Sequence, residues 1–128
     1  GHDVFVNVVG GVRVDEPGVD LAIALAVAGA RRGVPIGVVD DGPGSAGGAA
    51  RDDGAPLACF GELGLTGELR WVGHPERRLQ EAARYGLSDV LAPAGSGAGA
   101  REVGTLREAL AAALPGAGRI TRPAPVAA

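Results

Sequence analysis

Few side chains in this protein could do chemistry: three serines, two histidines, one cysteine, and twelve basic residues that are all arginine. A serine hydroxyl is a weak nucleophile until a neighbouring base takes its proton, so each serine is judged by what stands near it. Ser45 lies in Asp41-Gly42-Pro43-Gly44-Ser45-Ala46-Gly47, a polar glycine-rich run with no helix behind it to hold the hydroxyl still. With no lysine in the chain, a Ser-Lys dyad, a Schiff base and a P-loop lysine are all excluded. A Ser-His-Asp set can be drafted from Ser88, His74 and Asp89. Ser88-Asp89 reads more simply as the polar turn entering a strand, and His74 before Pro75 as a helix-cap position. No catalytic residue is expected.

Metal ligands fare no better. There is no His-x-x-x-His, no cysteine pair and no acidic comb of the EF-hand kind. Asp40-Asp41 and Asp52-Asp53 flank a loop, where solvated acids are the ordinary outcome. Cys59, between Ala58 and Phe60, reads as an inert small hydrophobe on a buried strand, and a single cysteine rules out an internal disulfide. No cofactor and no metal are expected in this domain.

The arginines carry more information. Arg70, Arg77, Arg78 and Arg84 fall on or just before one helix, with Arg77 and Arg84 on nearly the same face and Glu81 an i,i+4 partner for Arg77. One reading is a solvated face with ion pairs; the other is a DNA-binding or intersubunit surface, since the guanidinium fork suits carboxylate and phosphate alike. A formal net charge of −3 argues against a strong stand-alone nucleic-acid binder.

The elements that must position these groups fit one domain over residues 3–115. Gly1-His2 is read as a tag remnant and 116–128 as a disordered tail. Hydrophobic content is 46% but aromatics only 3%, so the core is built from small aliphatic side chains packed closely. There is no apolar run of the roughly 20 residues a membrane span needs and no signal peptide, so a cytoplasmic, non-membrane protein is expected. Asp3–Val9 is predicted as a strand that bends at Gly10-Gly11, with Val12–Val14 extended again. Asp15-Glu16-Pro17 opens a helix to about Arg32, apolar on every side from Leu21 to Ala30, with Gly33 as its stop. Residues 40–55 form a long loop. Pro56–Phe60 is a short buried strand, and Gly61–Arg70 reads as strand, tight turn, strand. Pro75-Glu76 opens a second helix with Leu79, Ala82 and Ala83 inward, ending at Gly86. Val90–Ala92 is a strand and 94–100 a loop. Thr105 and Glu108 make a capping box for a helix with Leu106, Ala109, Leu110, Ala113 and Leu114 inward. The class is α/β or α+β with a mixed sheet packed against helices.

Two long motifs stand in register within this frame. Asp3-Val4-Phe5-Val6-Asn7-Val8-Val9-Gly10-Gly11-Val12, followed by Asp20-Leu21-Ala22, is the first. Phe60-Gly61-Glu62-Leu63-Gly64-Leu65-Thr66-Gly67-Glu68-Leu69-Arg70 is the second, continued by Arg78, Glu81-Ala82-Ala83, Gly86 and the strand to Pro93. Together they resemble the C-terminal, Lon protease-like domain of the bacterial RadA/Sms DNA-repair family. The resemblance implies the Lon protease C-terminal fold, of the ribosomal protein S5 domain 2-like group. It places the Lon nucleophile position on Gly18 and the Lon lysine position on Glu76, neither of which can do that chemistry. The run around Ser45 also resembles the Lon serine motif, but carries an extra glycine. The long loop 40–55 and the absence of lysine depart from the usual family pattern.

For a full-length relative the resemblance implies a DNA-dependent ATPase in a hexameric ring, with ATP, Mg and Zn held by domains outside this chain. Single-stranded or branched DNA and the RecA recombinase are the implied partners. The expectation for this chain is a non-proteolytic oligomerisation or scaffold domain of a recombination and branch-migration motor. A direct DNA-binding module through the arginine face is the alternative, and an active serine peptidase ranks last.

Overall fold

Helix α1, Asp20–Arg32, begins where Glu16 accepts a hydrogen bond from the Gly18 amide and Pro17 opens a 3₁₀ turn over Pro17–Val19. The chain is described here by a computed structural model covering residues 1–11, 13–37 and 56–114. The expected acidic start therefore falls on Glu16 itself. The helix ends at Gly33, whose φ of 65° is the left-handed stop a glycine adopts without steric cost. Leu21, Leu25 and Gly29 form its buried stripe at i, i+4 and i+8. Gly29 is small for a reason. A Cβ there would come within 2.9 Å of Ile36, so the chain after Gly33 folds back tightly on α1. Although the run is apolar on every side, it is not covered on every face: Ala26 and Ala30 are exposed.

Three parallel strands follow in the order β1 (Ala58–Cys59), β4 (Val90–Ala92), β5 (Arg101–Glu102). Helix α2, Pro75–Arg84, lies in the β1-to-β4 crossover, as parallel pairing requires. Alternation along β4 divides the core. Leu91 packs with Leu21 and Leu25 of α1 and with Ala109, Ala112 and Ala113 of α3 (Leu106–Ala113). Val90 and Ala92 pack with Phe60, Val72 and, from α2, Leu79 and Ala82. Each buried leucine contributes roughly 1.5–3 kcal/mol relative to exposure, so β4, buried on both faces, is the keystone of both layers. An antiparallel hairpin, β2 (Glu62–Leu63) with β3 (Leu69–Arg70), caps one end. It is tied to the α3 entrance by Leu69 N–H to Gly104 C=O at 2.9 Å and Leu106 N–H to Gly67 C=O at 2.8 Å.

This is an α+β domain with a mixed set of strands, as expected. Several particulars differ. Asp3–Val9 makes no strand: it has the composition of one but no ladder partner among the described residues, and Phe5 stays 94% exposed. Arg13 and Val14 likewise form no ladder, and Val12 lies outside the described residues. Ala83 is exposed while Ala112 is buried, a one-position error in each helix's inward face. β5 was not anticipated. The loop 40–55 and the tail 116–128 fall outside the described residues. No helix among those described is long and apolar enough to cross a membrane.

Candidate functional site

The 3₁₀ turn and the start of α1 are held by hydrogen bonds to Gly61 and Leu63. Gly61 N–H donates to Gly18 C=O at 2.9 Å, Leu21 N–H to Gly61 C=O at 3.1 Å, and Leu63 N–H to the Asp20 carboxylate at 3.2 Å. Gly61 sits at a φ of 157°. This pairing buries Gly18 and fixes what can stand beside it.

Arg78 stands there. From the first turns of α2 its Nη2 donates to Glu16 Oε1 at 2.9 Å and its Nε to the Gly73 carbonyl at 2.9 Å. The guanidinium carbon lies 5.7 Å from the centre of the Phe60 ring, within cation–π range. A Cβ on Gly18 would meet Glu16 Oε1 at 3.0 Å and Arg78 Nη1 at 3.2 Å. The side-chain space at position 18 is thus bordered tightly by an ion pair. Glu76, where the resemblance puts the second dyad position, is exposed in the first turn of α2, where a carboxylate suits the helix dipole. It makes no ion pair with another described residue.

The drafted triad is not assembled. No hydrogen bond joins Ser88, His74 and Asp89; His74 takes the N-cap position of α2 at a φ of 58°, and the Asp89 carbonyl accepts from Ala58 in the sheet. Ser96 is buried and donates to the Pro93 carbonyl at 2.7 Å. Ser45 lies outside the described residues. Cys59 is half-buried, and burial pushes its thiol up to about 11, which keeps it protonated. Among the described residues, no group of three or more His, Cys, Asp or Glu could hold a metal ion.

The four arginines do not act as one face. Arg78, with a side chain 27% exposed, is committed inward. Arg70 pairs with Glu68 at 2.7 Å and Glu62 at 3.5 Å across the β2–β3 hairpin. The Thr66 hydroxyl, Glu68's own backbone amide and Arg70 hold the Glu68 carboxyl at about 2. Arg84 lies 3.6 Å from Glu81 at i,i+3, in place of the expected Arg77–Glu81 contact. Arg77 is exposed and makes no ion pair with a described residue. What sequence reasoning missed is the Glu16–Arg78 link, which spans 62 residues. Its one available signal was a glycine, rather than a side chain, directly after an acidic Glu-Pro pair.

No family model matches the chain. Curated relatives do. The DNA repair protein RadA of Listeria monocytogenes is 40% identical over 93 residues, 72% of this chain and 16% of that protein. RadA of Streptococcus pneumoniae is 37% identical over 96 residues, 74% of this chain and 19% of that protein. RadA of Escherichia coli is 40% identical over 93 residues, 73% and 16% respectively. The chain thus spans less than a fifth of the length of these relatives. Over nearly three quarters of its residues the chain is a homologue of one segment of these DNA repair proteins, a RadA-like domain.

Proposed function

We propose that this domain is a non-proteolytic, Lon-like assembly module of a RadA-type DNA repair and recombination protein. One observation supports the non-proteolytic part: position 18 has no hydroxyl, and a side chain there would press on the Arg78–Glu16 pair. A serine placed there would face a permanent cation and a capping carboxylate, with no lysine in the chain to deprotonate it.

Kinship with proteins named for DNA repair supports the repair context, and the assembly role is what the family resemblance implies for this segment. A direct DNA-binding role is less well supported, because Arg70, Arg78 and Arg84 already have carboxylate partners. Neutralising phosphates would mean breaking or sharing those pairs. Sedimentation velocity on a full-length RadA-type protein, with and without the homologous segment, tests the assembly role. The deletion is expected to lower the oligomeric state while leaving a folded motor. An unchanged oligomer would reject it.

A further inference from the structure

The connection between β4 and β5 is short for the pairing it serves. Parallel neighbours ordinarily need a crossover of about a dozen residues or more, usually carrying a helix. Here residues 93–100 bring the chain from Ala92 to Arg101 with no helix between. The return is made in turns, with Gly95 and Gly97 at φ of 82° and 105°. Between them Ser96 is buried, its hydroxyl donating to the Pro93 carbonyl at 2.7 Å. Anchored in this way, the loop aims two amides at one point. Gly95 N–H and Gly97 N–H donate to the same oxygen, Glu102 Oε1, at 3.0 and 3.2 Å.

Backbone N–H groups that converge in a turn make a nest, a concavity that holds an anion. We propose that the β4–β5 loop is an oxyanion site, fitted to one oxygen of a carboxylate or phosphate group, and that Glu102 is its built-in occupant. The site is seen filled, by a carboxylate that reaches back from β5. Hydrogen bonds to an ionised acceptor are about twice as strong as neutral ones, so this carboxylate gains from two donors what a solvated surface acid would take from water. The surroundings leave room for a guest. A Cβ built on Gly97 would meet nothing within 4 Å, and one on Gly95 would meet only Trp71 Cδ1, at 4.0 Å. Because β5 tethers Glu102 beside the loop, its effective concentration exceeds that of a dissolved anion. A free oxyanion therefore enters once this carboxylate is removed, and the site stays closed in the isolated domain. None of this depends on the assembly role.

The test follows the Gly95 and Gly97 amide signals by NMR in the 128-residue chain, in Glu102→Ala, which empties the nest, and in Glu102→Gln, which keeps its shape without the charge. Each is titrated with sodium acetate, with sodium phosphate and with sodium chloride at matched ionic strength. Circular dichroism checks the fold, and the near-isosteric Gln variant carries the titration if the Ala variant does not fold. Both signals are expected to leave their parent positions in the variants. Acetate or phosphate should then move them back saturably, with half-saturation on the order of 10–100 mM, the weak range of two exposed charge-assisted bonds. The parent should show no saturable shift. A response to acetate alone makes the site one for carboxylates, and a response to phosphate alone one for phosphate groups; either supports the proposal. Signals that stay at their parent positions in the variants overturn it, because Glu102 would then not be the occupant. So does a folded variant that shows no saturable return, or that responds to chloride as strongly as to the oxyanions.

Discussion

Arg78 on α2 donates to Glu16 ahead of α1 at 2.9 Å, and through this pair the two helices are fastened over a buried glycine. The guanidinium also serves the Gly73 carbonyl and lies over Phe60, so one side chain links the α1 entrance, the α2 entrance and the second core cluster.

Removing it should cost more than a surface pair does. Arg78→Ala is expected to destabilise by about 1–2 kcal/mol, the charge-assisted bonds being discounted because Glu16 is 52% exposed. Arg78→Met, which keeps the apolar stem, should recover part of this, and Glu16→Gln should cost less than Arg78→Ala. Urea denaturation measures all three. A loss for Arg78→Ala within a few tenths of a kcal/mol of zero would mean the link is ornamental.

Gly18→Ser should restore a hydroxyl but no chemistry. Its Cβ would press on Glu16 Oε1 and Arg78 Nη1, both ends of flexible side chains that can give by a few tenths of an ångström. The expected cost is roughly 0.5–1.5 kcal/mol, chiefly from a weakened N-cap. The variant should remain unlabelled by a fluorophosphonate serine probe; labelling at position 18 would show that a base is within reach.

Glu68 predicts an acid-dependent hairpin. Its folded carboxyl titrates at about 2 against an ordinary 4.5, held down by the Thr66 hydroxyl, its own amide and Arg70. A depressed carboxyl stabilises the folded state above pH 4.5, and that contribution is lost as pH falls from about 4.5 towards 2. Fluorescence of Trp71, next to Arg70, should report a transition in that window, and Glu68→Gln should abolish it. An identical acid profile in the variant would place the effect elsewhere.

Cys59 should be slow to react. With the thiol at about 11, alkylation by iodoacetamide near neutral pH is expected to wait for local opening and to accelerate strongly in denaturant. Equal rates in folded and unfolded chains would contradict the partial burial of Cys59.

Much of the fold was legible because local and global signals agree. Val90–Ala92 is a short apolar run bounded by a polar turn and a proline, and it becomes the central strand. Thr105 caps α3 by accepting from Glu108 N–H at 3.2 Å, although the Glu108 carboxylate reaches Gly104 N–H at 2.7 Å, one residue further back than a closed box would place it. Other features were not legible. Arg101-Glu102 has neither β-branching nor alternation and is a strand only because Leu91 and Ala92 offer it a ladder. Asp3–Val9 has the β-branched and aromatic composition of a strand and no ladder among the described residues, since strand formation depends on a partner that sequence periodicity does not reveal. The arginines show the same limit. Spacing put Arg77 with Glu81, whereas Arg84 pairs with Glu81, and Arg78 turns away from its neighbours to a carboxylate 62 residues earlier.

The central proposal is that this domain carries no peptidase chemistry, with Gly18 packed against the Arg78–Glu16 pair. It is tested most directly by incubating the purified chain with a mixed peptide library and a fluorophosphonate probe, and reading both by mass spectrometry. The account predicts uncut peptides and no adduct on Ser45, Ser88 or Ser96. Peptide cleavage by the purified chain that disappears when one of those serines is replaced by alanine would contradict it.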